Sequence, residues 1–206
     1  MIKAIIFDMD GVLIDARDWH YEALNAALEM FGYVIPRVDH LTSFDGLPTK
    51  DKLKKFSQAY GLPVGLHDLI NAVKQKHTVR IMYERCGPTF NHQVALSKLR
   101  RDGLRIAVAS NSIRQTVEAM MKLSDLERYL EFFLSNEEVT KGKPDPEIYN
   151  LAISTLSLLP EECVIVEDNP NGLKAAIASG AHVLQVADPS HVSYEMIRSY
   201  IEQVEG

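Results

Sequence analysis

Four short polar segments lie at the ends of apparent strands, and their side chains are those of a phosphoryl-transfer site. They contain Asp8, Ser110, Lys143 and the pair Glu167-Asp168. A carboxylate can attack phosphorus and hold the phosphoryl group covalently. A hydroxyl and an ammonium can bind phosphate oxygens, and adjacent acids are ligands that suit a divalent cation. Together these residue types predict phosphoryl transfer through an aspartyl-phosphate.

The first segment, Asp8-Met9-Asp10-Gly11-Val12, directly follows an apolar run at residues 4–7. Asp8 is the candidate nucleophile. Asp10, two residues later, is within reach of the same centre and can protonate a leaving alkoxide and later deprotonate water. Gly11 permits close approach of the backbone and leaves amide donors for a phosphate. The competing interpretation of this segment alone is a solvated turn.

The second segment is Ser110-Asn111, which ends a second apolar run and precedes a helix predicted to begin near residue 113. A hydroxyl and amides at a helix N-terminus suit a phosphate oxygen, so both residues are candidate substrate ligands. Taken alone, Ser-Asn is also a common helix cap. Its position at a strand end favours the functional interpretation.

The third segment contains Lys143, which precedes Pro144 and a predicted helix. The proline restricts the loop and so fixes the direction of the lysine. We expect Lys143 to offset the negative charge on Asp8 and on the transferring phosphoryl group. Lys141 is the competing candidate, and a solvated loop lysine is the alternative for both.

The fourth segment, Glu167-Asp168, follows the apolar run at residues 164–166. Adjacent acids at a strand end repel each other unless a cation lies nearby. Oxygen ligands of this kind suit Mg²⁺, which would neutralise charge between Asp8 and the phosphate. Exposed acids that cap the next helix are the alternative.

A parallel sheet would bring these segments together. Apolar runs that predict strands lie at residues 4–7, 105–109, 132–134, 164–166 and 183–186, and from residue 92 onward they alternate with helical patterns. This alternation predicts an α/β fold with helices on both faces of a parallel sheet. Ligands in such sheets bind beyond the carboxyl ends of the strands, where all four segments fall.

Residues 18–86 break the alternation and predict a second, helical domain. Helical patterns at residues 19–31, 49–60 and 66–86 follow one another without a strand between them. A helical block inserted after the first strand is a candidate cap. We therefore predict a Rossmann-like core of residues 1–14 and 87–206 and a helical cap of residues 15–86.

The composition of the chain limits the classes of molecule that we expect it to bind. The 206 residues include 22 Lys and Arg and 28 Asp and Glu, a formal charge of −6. An acidic chain has no general attraction to nucleic acid or to anionic lipid, so neither is expected as a partner. No apolar run approaches the roughly 20 residues of a membrane span, and no secretory signal is seen. We expect a cytoplasmic protein, a monomer or weak homodimer, that acts on a small phosphorylated metabolite.

The four segments, in this order, resemble the motifs of the haloacid dehalogenase superfamily on its phosphatase and phosphomutase side. The resemblance implies a Rossmann-like core with a helical cap, and a Mg²⁺-dependent reaction. It implies that Asp8 is the nucleophile, that Asp10 is the general acid and base, and that Ser110 and Lys143 bind the phosphoryl group. The implied Mg²⁺ ligands are Asp8, the backbone carbonyl of Asp10, Glu167 and Asp168. Dehalogenases of this superfamily lack the second aspartate and need no metal, so Asp10 argues against dehalogenation.

Residues 4–20 are also similar to β-phosphoglucomutase and to sugar-phosphate phosphatases, which share the FDxDGV segment and a histidine at the position of His20. The cap should select the substrate, and a loop at residues 44–50 looks like the specificity loop of this family. Lys50 and Lys76 are therefore candidate substrate-binding residues, together with His20. The alternative for these lysines is a solvated helix face.

The leading hypothesis is a Mg²⁺-dependent phosphatase for a small phosphorylated metabolite, above all a sugar phosphate. A sugar phosphomutase of the β-phosphoglucomutase kind is the first alternative, and the product separates the two: free phosphate or an isomerised sugar phosphate. A phospho-accepting receiver domain is an alternative from another class, but it would have no cap.

Overall fold

The computed structural model describes residues 1–206, which form two compact units. One unit consists of Met1–Asp15 and Gly87–Gly206, and the other of Ala16–Cys86. We refer to them as the sheet unit and the helical unit. No helix in either unit has both the length and the apolar character needed to cross a bilayer.

Nine α-helices and one π-helical turn accompany the sheet. In chain order the α-helices are α1 (Arg17–Glu29), α2 (Arg37–Asp39), α3 (Thr49–Tyr60), α4 (His67–Arg85), α5 (Phe90–Arg101), α6 (Arg114–Leu123), α7 (Glu147–Thr155), α8 (Pro170–Ala178) and α9 (Tyr194–Glu205). The first four belong to the helical unit and the other five to the sheet unit.

The sheet unit contains the predicted parallel sheet. Its five strands are β1 (Ala4–Phe7), β2 (Arg105–Ala109), β3 (Phe132–Leu134), β4 (Cys163–Glu167) and β5 (His182–Gln185). The order is β3-β2-β1-β4-β5, and every pairing is parallel. β1 and β4 are wholly buried, which explains why their sequences are continuous apolar runs rather than alternating ones. The predicted α/β fold class is confirmed.

The register of the three central strands brings the first and fourth segments to one level. Phe7 pairs with Val108 on one side and with Val166 on the other. The residues that follow these partners therefore lie side by side at the carboxyl edge of the sheet. β1 and β4 also flank the point where the strand order reverses, which is where open α/β sheets place their ligands.

One boundary differs from the prediction in a way that matters for the site. β4 runs from Cys163 to Glu167 and not only over residues 164–166. Glu167 is thus the last strand residue, and its backbone pairs with Gln185 of β5. The acid belongs to the sheet because strand pairing with β5 continues through it, whereas the local apolar pattern ends one residue earlier.

An apolar cluster packs α7 and α8 against one face of the sheet. The cluster combines small and branched residues, such as Ala107 and Ile165 of the strands, with Ile148 and Ala152 of α7. Tyr149 belongs to the same cluster and is fully buried. A buried tyrosine normally finds a hydrogen-bond partner for its hydroxyl, and this one finds it in the candidate site.

The helical unit has its own core. α1 packs along α4, and the apolar cluster of this unit includes Leu28 of α1, Phe56 of α3 and Ile70 of α4. The chain between α1 and α3 contains α2 and a π-helical turn, His40–Phe44, neither of which the helical pattern predicted. These elements are short, and tertiary packing of buried Phe44 stabilises them more than any local periodicity does.

Candidate active site

Asp8 lies directly after β1, with its side chain largely buried. Its amide donates to the carbonyl of Val166, which continues the pairing with β4 for one residue. The Asp8 carboxylate is held on one oxygen only: Oδ1 lies 2.5 Å from Nζ of Lys143. The second oxygen accepts no hydrogen bond, so one lone-pair-bearing atom of a buried carboxylate remains available for chemistry.

Lys143 is the cation of this site and is 4% exposed. Its ammonium donates to three acceptors: Asp8 Oδ1 at 2.5 Å, Glu167 Oε1 at 2.7 Å and the carbonyl of Ala109 at 2.9 Å. Burial opposes its charge, but the carboxylates of Asp8 and Glu167 outweigh burial and raise the pKa of Lys143 above its usual value. The ammonium is therefore charged and has a fixed direction.

Asn111 holds the backbone that carries this lysine. Its Oδ1 accepts from the amide of Lys143 at 3.0 Å, and its Nδ2 donates to the carbonyl of Lys143 at 3.3 Å. The side chain predicted to bind substrate is thus engaged with the protein, and it joins the end of β2 to the Lys143 loop.

The acids of the site converge closely enough to hold a divalent cation. Asp8, Glu167 and Asp168 each offer a carboxylate oxygen, and these oxygens lie within 4.8 Å of one another. Burial raises the pKa of the Asp8 carboxyl well above its usual range, and Glu167, Asp10 and Asp168 add to this while Lys143 opposes it. A bound cation would lower that pKa again, so the donor set fits a hard metal ion such as Mg²⁺.

Gly11 explains how Asp168 reaches this position. The glycine has a φ of +93°, and a Cβ on it would overlap the Asp168 carboxylate. Only glycine satisfies both conditions, because other residues rarely adopt this φ and any side chain would displace the acid. The group that approaches Gly11 closely is thus a carboxylate of the site, and the prediction that Gly11 leaves its own amide for a phosphate is wrong, since this amide donates to the carbonyl of Ile14 at 2.7 Å.

Asp10 points toward the end of β2. Its Oδ2 accepts from Ser112 Oγ at 2.9 Å and from Ser110 Oγ at 3.4 Å. Ser110 is fully buried, and its Oγ also accepts from the amide of Ser112 at 3.0 Å. The sequence did not predict Ser112, because its contact with Asp10 joins two segments that are distant in the chain.

Two further residues of the site were missed, and both contact Glu167. Tyr149 donates its hydroxyl to Glu167 Oε1 at 2.7 Å. Gly172, in the first turn of α8, gives the Glu167 carboxylate its space, since a Cβ at this position would overlap it. A tyrosine in an apolar helix face and a glycine inside a helix are weak signals by themselves, although each departs from the residue type that packing or helix propensity would favour.

The other three candidates lie in the helical unit. His20 Nδ1 is 3.4 Å from Nζ of Lys74, a buried lysine of α4. Lys50 and Lys76 are both exposed. The lysine that contacts His20 is therefore Lys74. It lies two residues from Lys76, which the sequence suggested as a substrate-binding residue.

Comparison with known proteins supports a hydrolase that acts on phosphate esters. Residues 5–186 match the family of haloacid dehalogenase-like hydrolases. The chain is 28% identical over 179 residues to a phosphorylated carbohydrates phosphatase of Thermotoga maritima, an alignment that covers 87% of this chain and 82% of the relative.

Two solved structures extend the comparison. The chain resembles β-phosphoglucomutase from Clostridium difficile with a TM-score of 0.85, covering 100% of both chains, but at 20% identity this likeness is one of fold alone. It also resembles a CbbY mutant from Rhodobacter sphaeroides in complex with xylulose-(1,5)bisphosphate, with a TM-score of 0.79, 26% identity and coverage of 94% of this chain and 91% of the other.

The family match covers more than half of the chain and includes all four polar segments. Fold, residue order and relatives agree: the chain belongs to the haloacid dehalogenase-like hydrolases and is a phosphatase of that family.

Proposed function

We propose that this phosphatase hydrolyses small phosphorylated sugars through an aspartyl-phosphate on Asp8, with Mg²⁺ as its cofactor. The observation that carries the proposal is the state of the Asp8 carboxylate, which is buried, held by Lys143 on Oδ1 and not hydrogen-bonded on its other oxygen. A nucleophile needs such a fixed and accessible atom.

In the first step the second oxygen of Asp8 attacks phosphorus, and the bond between phosphorus and the ester oxygen breaks. Asp10 donates its proton to the departing alkoxide. The ammonium of Lys143, held beside the nucleophile, stabilises by its charge the negative charge that develops on the transferring group, and Ser110 binds one of its oxygens. The leaving sugar thereby departs as a neutral alcohol, and the phosphoryl group is left on Asp8.

In the second step Asp10 takes a proton from a water molecule that attacks the same phosphorus. The bond to Asp8 breaks, inorganic phosphate forms, and Asp8 and Asp10 return to their starting states. Mg²⁺, when bound by Asp8, Asp168 and the backbone carbonyl of Asp10, supplies neutralisation of negative charge during both steps. Glu167 lies beside this set.

The relatives support a sugar phosphate as the substrate class. One of them is named a phosphorylated carbohydrates phosphatase, and the CbbY structure holds a sugar bisphosphate. We propose that His20, Lys50 and either Lys74 or Lys76 of the helical unit bind the remainder of such a substrate. A phosphomutase is the less favoured alternative, because the likeness to β-phosphoglucomutase is one of fold alone.

Phosphate release from a panel of sugar phosphates, nucleoside monophosphates and p-nitrophenyl phosphate tests the proposal. We expect the fastest release from sugar phosphates, its loss in excess chelator and its recovery with Mg²⁺. Asp8→Asn should remain folded and lose turnover, since a neutral amide cannot attack phosphorus. Asp68→Asn, the same substitution at an exposed position of α4, is the matched control. Turnover by Asp8→Asn, or full activity in chelator, would contradict the mechanism, and an isomerised sugar phosphate without free phosphate would indicate a mutase.

A second pair of variants tests the helical unit. Lys74→Ala removes a buried cation that contacts His20, whereas Lys76→Ala removes an exposed one on the same helix. If Lys74 binds the distal part of the substrate, its removal should raise KM for the best sugar phosphate and leave p-nitrophenyl phosphate nearly unaffected. The reverse pattern would return the assignment to Lys76, and equal losses on both substrates would indicate a structural role.

A further inference from the structure

The carboxylate of Glu167 is saturated by protein donors. Its Oε1 accepts from Lys143 Nζ and from the hydroxyl of Tyr149, each at 2.7 Å. Its Oε2 accepts from the amides of Asp168 at 3.0 Å and Asn169 at 3.1 Å. An ionised carboxylate has about four lone-pair sites, so all of them are used, and the side chain is only 1% exposed.

This arrangement contrasts with that of Asp8. Both carboxylates accept from Lys143, but Asp8 has a second oxygen with no hydrogen-bond donor. To reach a metal ion, Glu167 would have to leave at least one of its four donors unpaired in a buried place, which is costly. Asp8 can bind an ion without losing any contact. Proximity alone would allow both acids to act as ligands, and the hydrogen bonds distinguish them.

Tyr149 is the donor that ties Glu167 to the lysine. Its hydroxyl contacts Glu167, and its ring face lies 4.6 Å from Nζ of Lys143. The phenol is the donor of this hydrogen bond, because a carboxylate oxygen can only accept. It is fully buried in the apolar cluster of α7 and the sheet, so its position is fixed by packing.

The consequence for catalysis lies in the direction of Lys143. Its three protons are directed to Asp8, to Glu167 and to the carbonyl of Ala109. With two of these acceptors held in place, the third proton is aimed at the nucleophile. If Glu167 moved, the ammonium would lose the acceptor that balances Asp8.

We propose that Glu167 anchors Lys143 and is not a ligand of the divalent cation, and that Tyr149 is the positioning residue that holds Glu167 in this role. The proposal rests on the proposed function, because it assigns parts within a metal-dependent phosphoryl transfer by Asp8. It differs from the expectation, implied by the sequence resemblance, that Glu167 belongs to the metal ligands.

The test is Tyr149→Phe, which keeps the ring over Lys143 and removes only the hydroxyl. Tyr200→Phe is the matched control, since the Tyr200 hydroxyl also donates one hydrogen bond, to the carbonyl of Val183 at 2.9 Å, away from the site. Two quantities are measured for each variant: the Mg²⁺ dissociation constant of the metal-free protein by calorimetry, and kcat at saturating Mg²⁺ and substrate.

We expect Tyr149→Phe to lower kcat about tenfold while the Mg²⁺ dissociation constant changes less than threefold. Tyr200→Phe should leave both unchanged. If Glu167 were a metal ligand, Tyr149 would be its outer partner, and loss of such a partner typically weakens metal binding by roughly 10–100-fold. A weakening of that size would overturn the anchor role of Glu167. An unchanged kcat would overturn the positioning role of Tyr149.

A crystal structure of the wild-type protein with Mg²⁺ is a second test of the proposal and needs no variant. Ligand oxygens of Mg²⁺ lie about 2.0–2.1 Å from the ion, and we expect Asp8 and Asp168 at that distance and both oxygens of Glu167 well beyond it. A Glu167 oxygen in the coordination shell would refute the proposal. Failure of the proposed function looks different, because the wild-type protein would then show no Mg²⁺-dependent release of phosphate.

Discussion

The substitution Gly172→Ala should change the free energy of unfolding, and the sign of that change shows whether helix propensity or packing in the site has the larger effect. Gly172 lies in the first turn of α8, and helix propensity favours alanine over glycine by at most the value of about 1 kcal/mol found in a helix interior. Propensity alone would make the variant more stable. The added methyl group, however, would overlap the carboxylate of Glu167, which is buried and holds four hydrogen bonds.

The size of the expected loss in stability follows from the displacement of the Glu167 carboxylate by the added methyl group. Overpacking of a filled interior costs about 1–3 kcal/mol, and loss of one hydrogen bond to a charged group costs about 1.5–3 kcal/mol. Set against the gain of about 1 kcal/mol, the net loss in the free energy of unfolding is roughly 2–5 kcal/mol. Because Glu167 is displaced from Lys143, kcat should fall as well.

Urea denaturation and steady-state kinetics at saturating Mg²⁺ measure the two effects. Gly65→Ala is the matched control, since nothing lies within 4 Å of a Cβ at that position, and its stability should stay within about 0.5 kcal/mol of the wild type. If Gly172→Ala were as stable and as active as the wild-type protein, Glu167 would not be fixed by its four hydrogen bonds.

Three further predictions concern other groups. Asp10→Asn should lower kcat by roughly 10²–10⁴ as expected for loss of a general acid and base, with little change in Mg²⁺ affinity by calorimetry; a normal kcat would reassign the proton transfer. Burial, together with the nearby charge of Lys52, lowers the pKa of His40 to about 4, so unfolding takes up a proton between about pH 4 and 6.5. The free energy of unfolding of the helical unit should therefore decrease as the pH falls through that range, by roughly 3 kcal/mol, and a variant His40→Phe that kept the full slope in denaturation curves would exclude His40 as its origin. Burial raises the pKa of the Cys163 thiol to about 11, so a thiol reagent at neutral pH should label only Cys86 rapidly in the native protein, and a second fast thiol would show that β4 opens.

The sequence by itself determined the scaffold and the chemical groups. Continuous apolar runs at residues 4–7 and 105–109 are the strands β1 and β2 without a change of boundary. Burial on both faces of a parallel sheet demands such runs, so the signal is local and strong. The polar residues that end these runs are conspicuous for the same reason. A carboxylate directly after a buried strand is costly unless it is paired or binds a cation.

The roles within the site were decided by tertiary structure. Ser112 and Tyr149 contact Asp10 and Glu167, which are distant from them in sequence, and only strand register and helix packing bring them together. No local pattern encodes that Asn111 turns its side chain to the backbone of Lys143.

Glu167 shows the limit most clearly. The sequence places it beside Asp168 as a second acid, and adjacent acids indicate a cation. Two of its four hydrogen bonds come from Lys143 and from Tyr149 of α7, which lie 24 and 18 residues away in the chain. Whether a carboxylate serves a metal or a lysine is therefore decided by which donors surround it in the folded protein, because its charge and spacing are the same in both cases.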